Sequence, residues 1–130
     1  MKIVHTIIKV LFSLFLAMPI LGSFGVLPPP TRDLYTTDLA FAYIQILMEV
    51  GYVNFVMAIV MLLAVIAVWT KREALAALLL LPLTVNVVGF HAFVDGGLFS
   101  TGAILANAML VFNVYFLWKN REQYHSLLKW

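Results

Sequence analysis

Charged residues divide the chain into four long apolar stretches. Windows free of Asp, Glu, Lys and Arg cover residues 10–31, 50–70, 74–94 and 96–118, and each window is 21 to 23 residues long. About 20 apolar residues in a helix cross a hydrocarbon core of roughly 30 Å, so each window is long enough to cross once and too short to cross twice. Continuous apolarity, without alternation at every second residue, favours helices over the strands of an outer-membrane barrel.

Helix breakers and polar turns set the expected bounds of four membrane spans. The first is predicted over about residues 4–21, because Gly22, Gly25 and the three prolines at 28–30 interrupt a helix. The other spans are predicted at about 52–70, 74–94 and 99–118, within one domain of residues 1–130. Lys9 lies inside the first span. Its long stem can carry the ammonium back to the headgroups, and the alternative is a functional charge that faces the bundle.

The longest stretch that does not span lies between the first two spans. Its uncharged part, residues 39–48, is too short to cross a membrane, and Asp38 is expected as the N-cap of a short helix there. We expect that helix to lie on the membrane or over the mouth of the bundle, with Gly51 allowing the turn into the second span. The predicted fold class is therefore all-α, an integral membrane four-helix bundle with a short interfacial helix between the first and second spans.

Composition supports this fold class and excludes several functions. The chain is 64% hydrophobic and 11% charged, whereas soluble domains are near half apolar and about a quarter charged. A domain this small cannot bury so much apolar surface in one core, so we expect the lipid bilayer to cover it. The few basic residues exclude a nucleic-acid partner, the absence of cysteine excludes thiol chemistry in this chain, and no nucleotide, haem or iron–sulfur motif is visible.

Basic residues predict the orientation in the inner (cell) membrane. Four spans place the N-terminus, the turn at Lys71 and the C-terminal tail on one side, which carries all but one of the Lys and Arg residues (Lys2, Lys9, Lys71, Arg72, Lys119, Arg121 and Lys129, against Arg32 on the other side). By the positive-inside rule, both termini are expected in the cytoplasm. The C-terminal tail after Trp118 is basic and aromatic, and it is expected to rest at an anionic leaflet. A cleaved signal peptide ending near Ser23 is the disfavoured alternative, because no A-x-A-like site lies there.

The sequence NVVGFHAFVDGG at the end of the third span carries the candidate chemistry. His91 and Asp95 are four residues apart, which places them on one helix face, where the carboxylate can fix the imidazole tautomer. Asn86 lies on the flank of that face, and all three are expected in the outer half of the membrane. We therefore predict His91 and Asp95 as catalytic residues, with His91 exchanging a proton.

Further side chains are expected around this pair. The candidates for polar ligand-binding groups are Asn86, Glu49 and Asn54 (the latter two at the outer end of the second helix), and Asn107 in the fourth span. A cleft with Phe90, Phe93 and Phe99 would suit a quinone whose carbonyl accepts from His91. The competing interpretation is structural: Asn86, Asn107 and Asn113 hold helices together, and Asp95 ends a helix. The ligand set is too thin for a metal site, and we predict none.

Four segments resemble the DoxX family of membrane proteins over nearly the full length. They are Lys9 near the start of the first span, FGVLPPP with AFAYIQILMEVGY in the following loop, NVVGFHAFVDGG, and NVYFLWKNREQY at the end of the fourth span. The third of these is the most specific. Gly22 and Ser23 replace an Asn-Lys pair that many relatives carry before the Phe-Gly at that point.

The resemblance implies a function linked to quinone or thiol redox chemistry. It implies an inner-membrane subunit related to the membrane subunit of thiosulfate:quinone oxidoreductases, with quinone as the expected cofactor and a soluble or membrane oxidoreductase as the expected partner. A homo-oligomer is also compatible with the sequence. The alternative is a non-catalytic anchor or assembly protein for a partner enzyme. A channel or transporter ranks last, because the polar residues do not run along the whole bundle.

Overall fold

A computed structural model describes residues 2–125 as an all-α protein, with no strand in this range. The all-α prediction is confirmed. The elements are α1 (Lys2–Ser23), a 3₁₀ turn (Arg32–Leu34), α2 (Asp38–Val50), α3 (Tyr52–Trp69), α4 (Glu73–Phe93), α5 (Thr101–Lys119) and α6 (Arg121–Tyr124). Helices α1, α3, α4 and α5 are long and apolar enough to cross a membrane. Their bounds agree with the four predicted spans to within two residues.

The four long helices pack as a bundle around a narrow core. Helix α4 packs against α3 and α5, and α1 packs against the same two helices from the other side. Phe12 of α1 meets the edge of Phe116 of α5 with ring centroids 5.2 Å apart, and Leu80 of α4 is fully buried beside them. Alanines line the helix contacts (Ala64, Ala67, Ala76, Ala77, Ala103 and Ala106). Such small residues let helix backbones approach closely.

The bundle has two ends, which we name by one residue each. The Glu73 end contains the starts of α1 and α4, the ends of α3 and α5, and α6; the His91 end contains the opposite helix termini, the loop before α2, and α2 itself. This arrangement groups the N-terminal residues, the Lys71 turn and α6 at one end, as the four-span threading requires. Residues 126–130, which include Lys129 and Trp130 of the predicted interfacial tail, lie outside the described residues.

Most of the apolar surface of the long helices faces outward. Only 11 to 28% of each helix's apolar 18-residue window is buried inside the protein. In water this exposure would be unfavourable, at roughly 25 cal/mol per Å² of apolar surface. The exposed helix faces are compatible with contact to a lipid bilayer.

The start of α2 differs by one residue from the sequence prediction. Thr37 is the N-cap, and its hydroxyl accepts a hydrogen bond from the backbone N–H of Ala40 at 3.0 Å. Asp38 instead occupies the first helical turn, where its negative charge interacts favourably with the helix dipole. Gly51 separates α2 from α3 with φ +73°, a left-handed conformation that favours glycine.

Candidate functional site

The His91 and Asp95 side chains meet at the end of α4. His91 Nδ1 lies 2.9 Å from Asp95 Oδ2, and both side chains are largely withdrawn from the surface, with 12% and 2% exposed. Helix α4 ends at Phe93, and the chain then turns so that the N–H of Asp95 still donates to the carbonyl of Phe90. This turn brings the carboxylate back under the imidazole of the last helical turn.

The second oxygen of Asp95 holds the loop that precedes α2. The backbone N–H of Thr36 donates to Asp95 Oδ1 at 2.7 Å, and the Thr37 hydroxyl donates to the carbonyl of Val94 at 2.6 Å. A Cβ on Gly96 would lie 2.6 Å from Thr36 Cγ2, so the two segments are in close contact. Burial and the negative charge of Asp95 raise the pKa of the neighbouring Tyr35. The carboxylate is thus fixed from both sides.

These contacts determine which ring nitrogen of His91 carries a hydrogen and which is left for another hydrogen-bond partner. An ionised carboxylate only accepts hydrogen bonds, so His91 Nδ1 carries the hydrogen of this pair. In the neutral imidazole, Nε2 is then an acceptor, and in the imidazolium it is a donor. Among residues 2–125, no side chain or backbone group forms a hydrogen bond to Nε2. This nitrogen is therefore available for a ligand.

The imidazole packs directly on the backbone of α5 at Gly102. A Cβ built on Gly102 would lie 2.6 Å from His91 Cε1 and 3.3 Å from each ring nitrogen. Since the Asp95 bond holds the ring from its other side, no larger residue fits at position 102 without displacing the imidazole. Gly102 therefore fixes the position of His91.

A cavity of about 220 Å³ lies beside His91 in the middle of the bundle. All four long helices contribute to its lining, mostly with aliphatic, Met and Phe side chains (among them Phe15, Met61, Leu80, Val87, Leu105 and Met109). The Thr84 hydroxyl also lines it but already donates to the carbonyl of Leu80 at 3.0 Å. His91 is the one ionisable group in this lining, within the described part of the chain.

The structure brings only some of the predicted site residues to His91. Phe90 contacts the imidazole ring at 5.1 Å between centroids and stacks on Tyr43. Phe93 and Phe99 are 90% and 95% exposed, because they lie on the outer side of the α4–α5 connection, and neither lines the cavity.

The polar candidates lie elsewhere. Asn86 is exposed on α4, Glu49 is exposed in a separate groove against Pro29 and Pro30, and Asn107 donates to the carbonyl of Leu98 at 2.8 Å. Asn54, on α3, donates to the carbonyl of Leu47 at 3.3 Å. None of these four side chains reaches His91 or Asp95 through a hydrogen bond in the described structure. The aliphatic lining of the cavity takes the place of the predicted aromatic and polar one.

Asn113 has a structural position between α5 and α4. Its side chain is fully buried, and in the orientation that satisfies both of its groups the amide nitrogen donates to the carbonyl of Ala77 at 3.2 Å while the oxygen accepts from the Leu81 N–H at 3.3 Å. This contact matches the structural alternative for Asn113, a side chain that holds two helices together.

A second polar cluster, which the sequence analysis did not predict, lies at the Glu73 end. Glu73 is buried, and its carboxylate contacts three basic side chains: Lys9 Nζ at 2.5 Å, His5 Nε2 at 2.7 Å and Lys119 Nζ at 2.9 Å. Tyr115 completes the cluster, with its hydroxyl 3.2 Å from His5 Nδ1. We call these five residues the Glu73 cluster. It joins α1, α4 and α5.

The Lys9 side chain points into the bundle in this cluster. Its ammonium also donates to the carbonyl of Val68 at 3.1 Å, in the last turn of α3. The sequence signal for the cluster is weak: His5 and Lys9 are four residues apart on one helix face, and Glu73 directly follows the cations Lys71 and Arg72. Only the packing of the four long helices reveals that Glu73 meets His5 and Lys9.

No group of three or more His, Asp or Glu side chains within residues 2–125 is arranged to hold a metal ion. No protein-family model, no curated protein and no solved structure matches this chain. The DoxX resemblance therefore rests on the sequence segments alone.

Proposed function

We propose that this chain is a DoxX-like protein of the inner membrane that binds a quinone ring in the central cavity, with His91 as its hydrogen-bond anchor and Asp95 as the residue that orients His91. The observation that carries the proposal is an imidazole beside an apolar cavity that is bound to a buried carboxylate through Nδ1 and has no hydrogen-bond partner at Nε2 among residues 2–125. An apolar ligand with one or two oxygen atoms matches such a site, in which a few polar groups orient a mainly apolar ligand.

The size of the cavity supports a single ring. An apolar cavity of roughly 150 Å³ accepts one benzene molecule, and this cavity measures about 220 Å³. The additional space accommodates ring substituents, and the surrounding aliphatic side chains suit an isoprenoid tail. A polar metabolite would leave its hydrogen-bonding groups without partners there, at a cost of about 1–3 kcal/mol for each group.

The protonation state of His91 determines which redox form of the ring it binds. A neutral imidazole with hydrogen on Nδ1 accepts a hydrogen bond, and then a proton, from a quinol hydroxyl at Nε2. The imidazolium donates from Nε2 to a quinone carbonyl. His91 can therefore receive or return a ring proton while Asp95 compensates its charge. The electrons must come from or go to a carrier on a partner oxidoreductase, because this chain contains no cysteine and no visible cofactor motif.

Membrane insertion is part of the same proposal. The four apolar helices and the concentration of Lys and Arg at the Glu73 end support a four-span arrangement with both termini in the cytoplasm, α2 at the opposite interface, and the His91 site in the outer half of the bilayer. Quinones dissolve in the hydrocarbon core, so a site between spanning helices is accessible to them laterally.

The experiment measures quinone in detergent-purified protein by ultraviolet absorption and mass spectrometry. We expect about one quinone per chain in the wild type, its loss in His91→Ala, and its loss in Ala106→Leu, which fills the cavity from α5 without changing His91. His125→Ala, which removes an imidazole outside the bundle, is the matched control and should retain the quinone. Absence of quinone in all four proteins, at equal folded yield, would refute the proposal.

A second candidate function is a non-catalytic anchor for a partner enzyme. The observation that favours it is the outward position of Phe93 and Phe99 at the His91 end, where two aromatic rings are almost wholly exposed. Such rings are typical contact residues at protein interfaces. For an anchor, Phe93→Ala combined with Phe99→Ala would release the partner, while His91→Ala would leave the partner bound.

A further inference from the structure

A groove of about 310 Å³ lies between the start of α4 and α6, on the outer surface of the Glu73 end. Lys71 and Arg72 line its mouth, and Ala74, Leu75 and Leu78 line its floor along α4. The Tyr124 hydroxyl donates to the carbonyl of Ala74 at 3.0 Å and so holds α6 as the opposite wall. The groove is therefore cationic at the helix end and aliphatic farther along the helix.

The two cations at the mouth have no counter-charge in the described protein. Glu73 follows them directly in the sequence and would be expected to neutralise one of them. Its carboxylate instead turns into the bundle and contacts Lys9, His5 and Lys119. Within residues 2–125, Lys71 and Arg72 form no ion pair, whereas Lys9, Lys119, Arg32 and Arg121 each pair with a carboxylate.

The backbone of the turn is held in one conformation beside the groove. Lys71 adopts φ +62°, a left-handed conformation that is uncommon for a residue with a side chain, and the N–H of Arg72 donates to the carbonyl of Ala67 at 2.8 Å. Leu75 and Leu78, three residues apart on α4, share one helix face and are each more than 40% exposed. An elongated molecule with a negative head and an apolar tail fits this order of side chains.

We propose that this groove binds an anionic phospholipid, with the phosphate group between Lys71 and Arg72 and an acyl chain along Leu75 and Leu78. The inference rests on the proposed membrane insertion and is independent of the quinone site. Charge complementarity carries it: two unpaired cations lie where the apolar face of a spanning helix begins, which is the depth of lipid phosphates. Each Lys or Arg near an anionic membrane surface contributes on the order of a fivefold gain in lipid affinity.

Native mass spectrometry of the full chain in detergent, with added phosphatidylglycerol or phosphatidylcholine of identical acyl chains, tests the proposal. We expect one tightly retained phosphatidylglycerol and no comparable phosphatidylcholine adduct. Lys71→Gln with Arg72→Gln should lower phosphatidylglycerol retention about 25-fold, since two cations are lost. The matched control, Lys2→Gln with Arg121→Gln, removes two cations from the same end outside the groove and should retain the lipid. Equal losses in both double variants would overturn the site.

Two further arms separate a lipid from a free phosphate. Leu78→Trp narrows the aliphatic floor without changing any charge, and it should reduce phosphatidylglycerol retention severalfold. Inorganic phosphate at millimolar concentration should not displace the lipid; displacement, or unchanged retention in Leu78→Trp, would contradict an acyl-chain site. Quinone content measured in the same samples keeps the two proposals apart, because the groove variants should leave it unchanged.

Discussion

At the Glu73 end of the bundle, one buried carboxylate contacts three basic side chains from two other helices, and each of these side chains pairs with that carboxylate. At the His91 end, one buried carboxylate contacts a single imidazole, and His91 also lines an apolar cavity. Both ends contain a buried acid bound to a histidine. They differ in the second ring nitrogen of that histidine: the Tyr115 hydroxyl lies 3.2 Å from His5 Nδ1, whereas His91 Nε2 has no hydrogen-bond partner among residues 2–125.

This difference separates a structural cluster from a candidate site. Polar groups in a low-dielectric interior that bond only to one another hold helices together, and breaking the set is costly. A polar group that keeps one nitrogen free beside a cavity can bind a ligand in addition to its structural bond. A buried acid bound to a histidine is therefore not enough to identify a site. The unoccupied bonding position and the adjoining space distinguish the two ends.

The largest expected effect is on stability at the Glu73 end. Glu73→Gln removes the one buried acid that pairs with Lys9, His5 and Lys119, and these basic groups are left without a counter-charge. We expect a loss on the order of 3 kcal/mol in the free energy of unfolding, measured by titration with sodium dodecyl sulfate in mixed micelles. Quinone content of the protein that remains folded should not change.

Glu122→Gln is the matched control for that variant. Glu122 pairs with Arg121 at the same end but is mostly exposed, so its loss should cost less than about 1 kcal/mol. Equal destabilisation by the two substitutions would show that the buried Glu73 carboxylate contributes no more to the free energy of unfolding than an exposed one.

The next effect concerns the contact between His91 and α5. Gly102→Ala places a methyl group 2.6 Å from the present position of the imidazole and must displace it. We expect quinone affinity to fall at least about tenfold, or 1.4 kcal/mol, with a destabilisation of about 1–3 kcal/mol from overpacking. Gly89→Ala, a glycine of α4 with open space around it, should leave both quantities nearly unchanged. Similar losses in both variants would argue against a positioned imidazole.

Asp95→Asn should change selectivity more than stability. An amide nitrogen facing His91 Nδ1 reverses the tautomer, so the neutral ring then carries its hydrogen on Nε2 and donates to the cavity. We expect the preference for quinol over quinone to reverse, by about tenfold in the ratio of affinities, equivalent to 1.4 kcal/mol. Competition between the two redox forms of one short-chain quinone measures this ratio. An unchanged ratio with retained binding would exclude Asp95 as the orienting group.

The smallest effect lies in the loop that Asp95 holds. Thr37→Ala removes the N-cap of α2 and the bond to the carbonyl of Val94, and we expect a loss of about 1 kcal/mol. Thr37→Ser retains both bonds and should restore most of this stability. Faster amide hydrogen exchange in α2 should accompany the alanine variant, and a serine variant as unstable as the alanine variant would contradict the capping role.

The four long apolar helices were predictable because charged residues bound each apolar window of the sequence. Charges are so costly in hydrocarbon that they mark the ends of each helix, and the four predicted spans agree with the structure to within two residues. The His91 and Asp95 contact was predictable from the spacing of four residues, although Asp95 lies in the turn after α4 and not on the helix itself. Such predictions need no knowledge of how helices pack.

The remaining features depend on packing between helices. The cavity is lined by aliphatic side chains from α1, α3, α4 and α5 that look like ordinary core residues in the sequence. Glu73 directly follows Lys71 and Arg72 in the sequence. Its carboxylate nevertheless pairs with Lys9, His5 and Lys119, because the bundle brings the first turn of α4 close to these side chains of α1 and α5. Phe93 and Phe99 point outward for the converse reason: they flank a turn whose inner side is occupied by Asp95 and Thr36.

Nitrogen-15 NMR of the histidine imidazoles shows whether Nε2 of His91 is the ligand-binding atom. The chain has three histidines, of which His5 lies in the Glu73 cluster and His125 follows α6, so both serve as internal controls. On addition of a short-chain quinol, we expect a large shift of the His91 Nε2 resonance, a small shift at His91 Nδ1, and none at the other two rings. An unchanged His91 Nε2 resonance at saturating quinol, or equal shifts in all three rings, would exclude Nε2 as the ligand-binding atom.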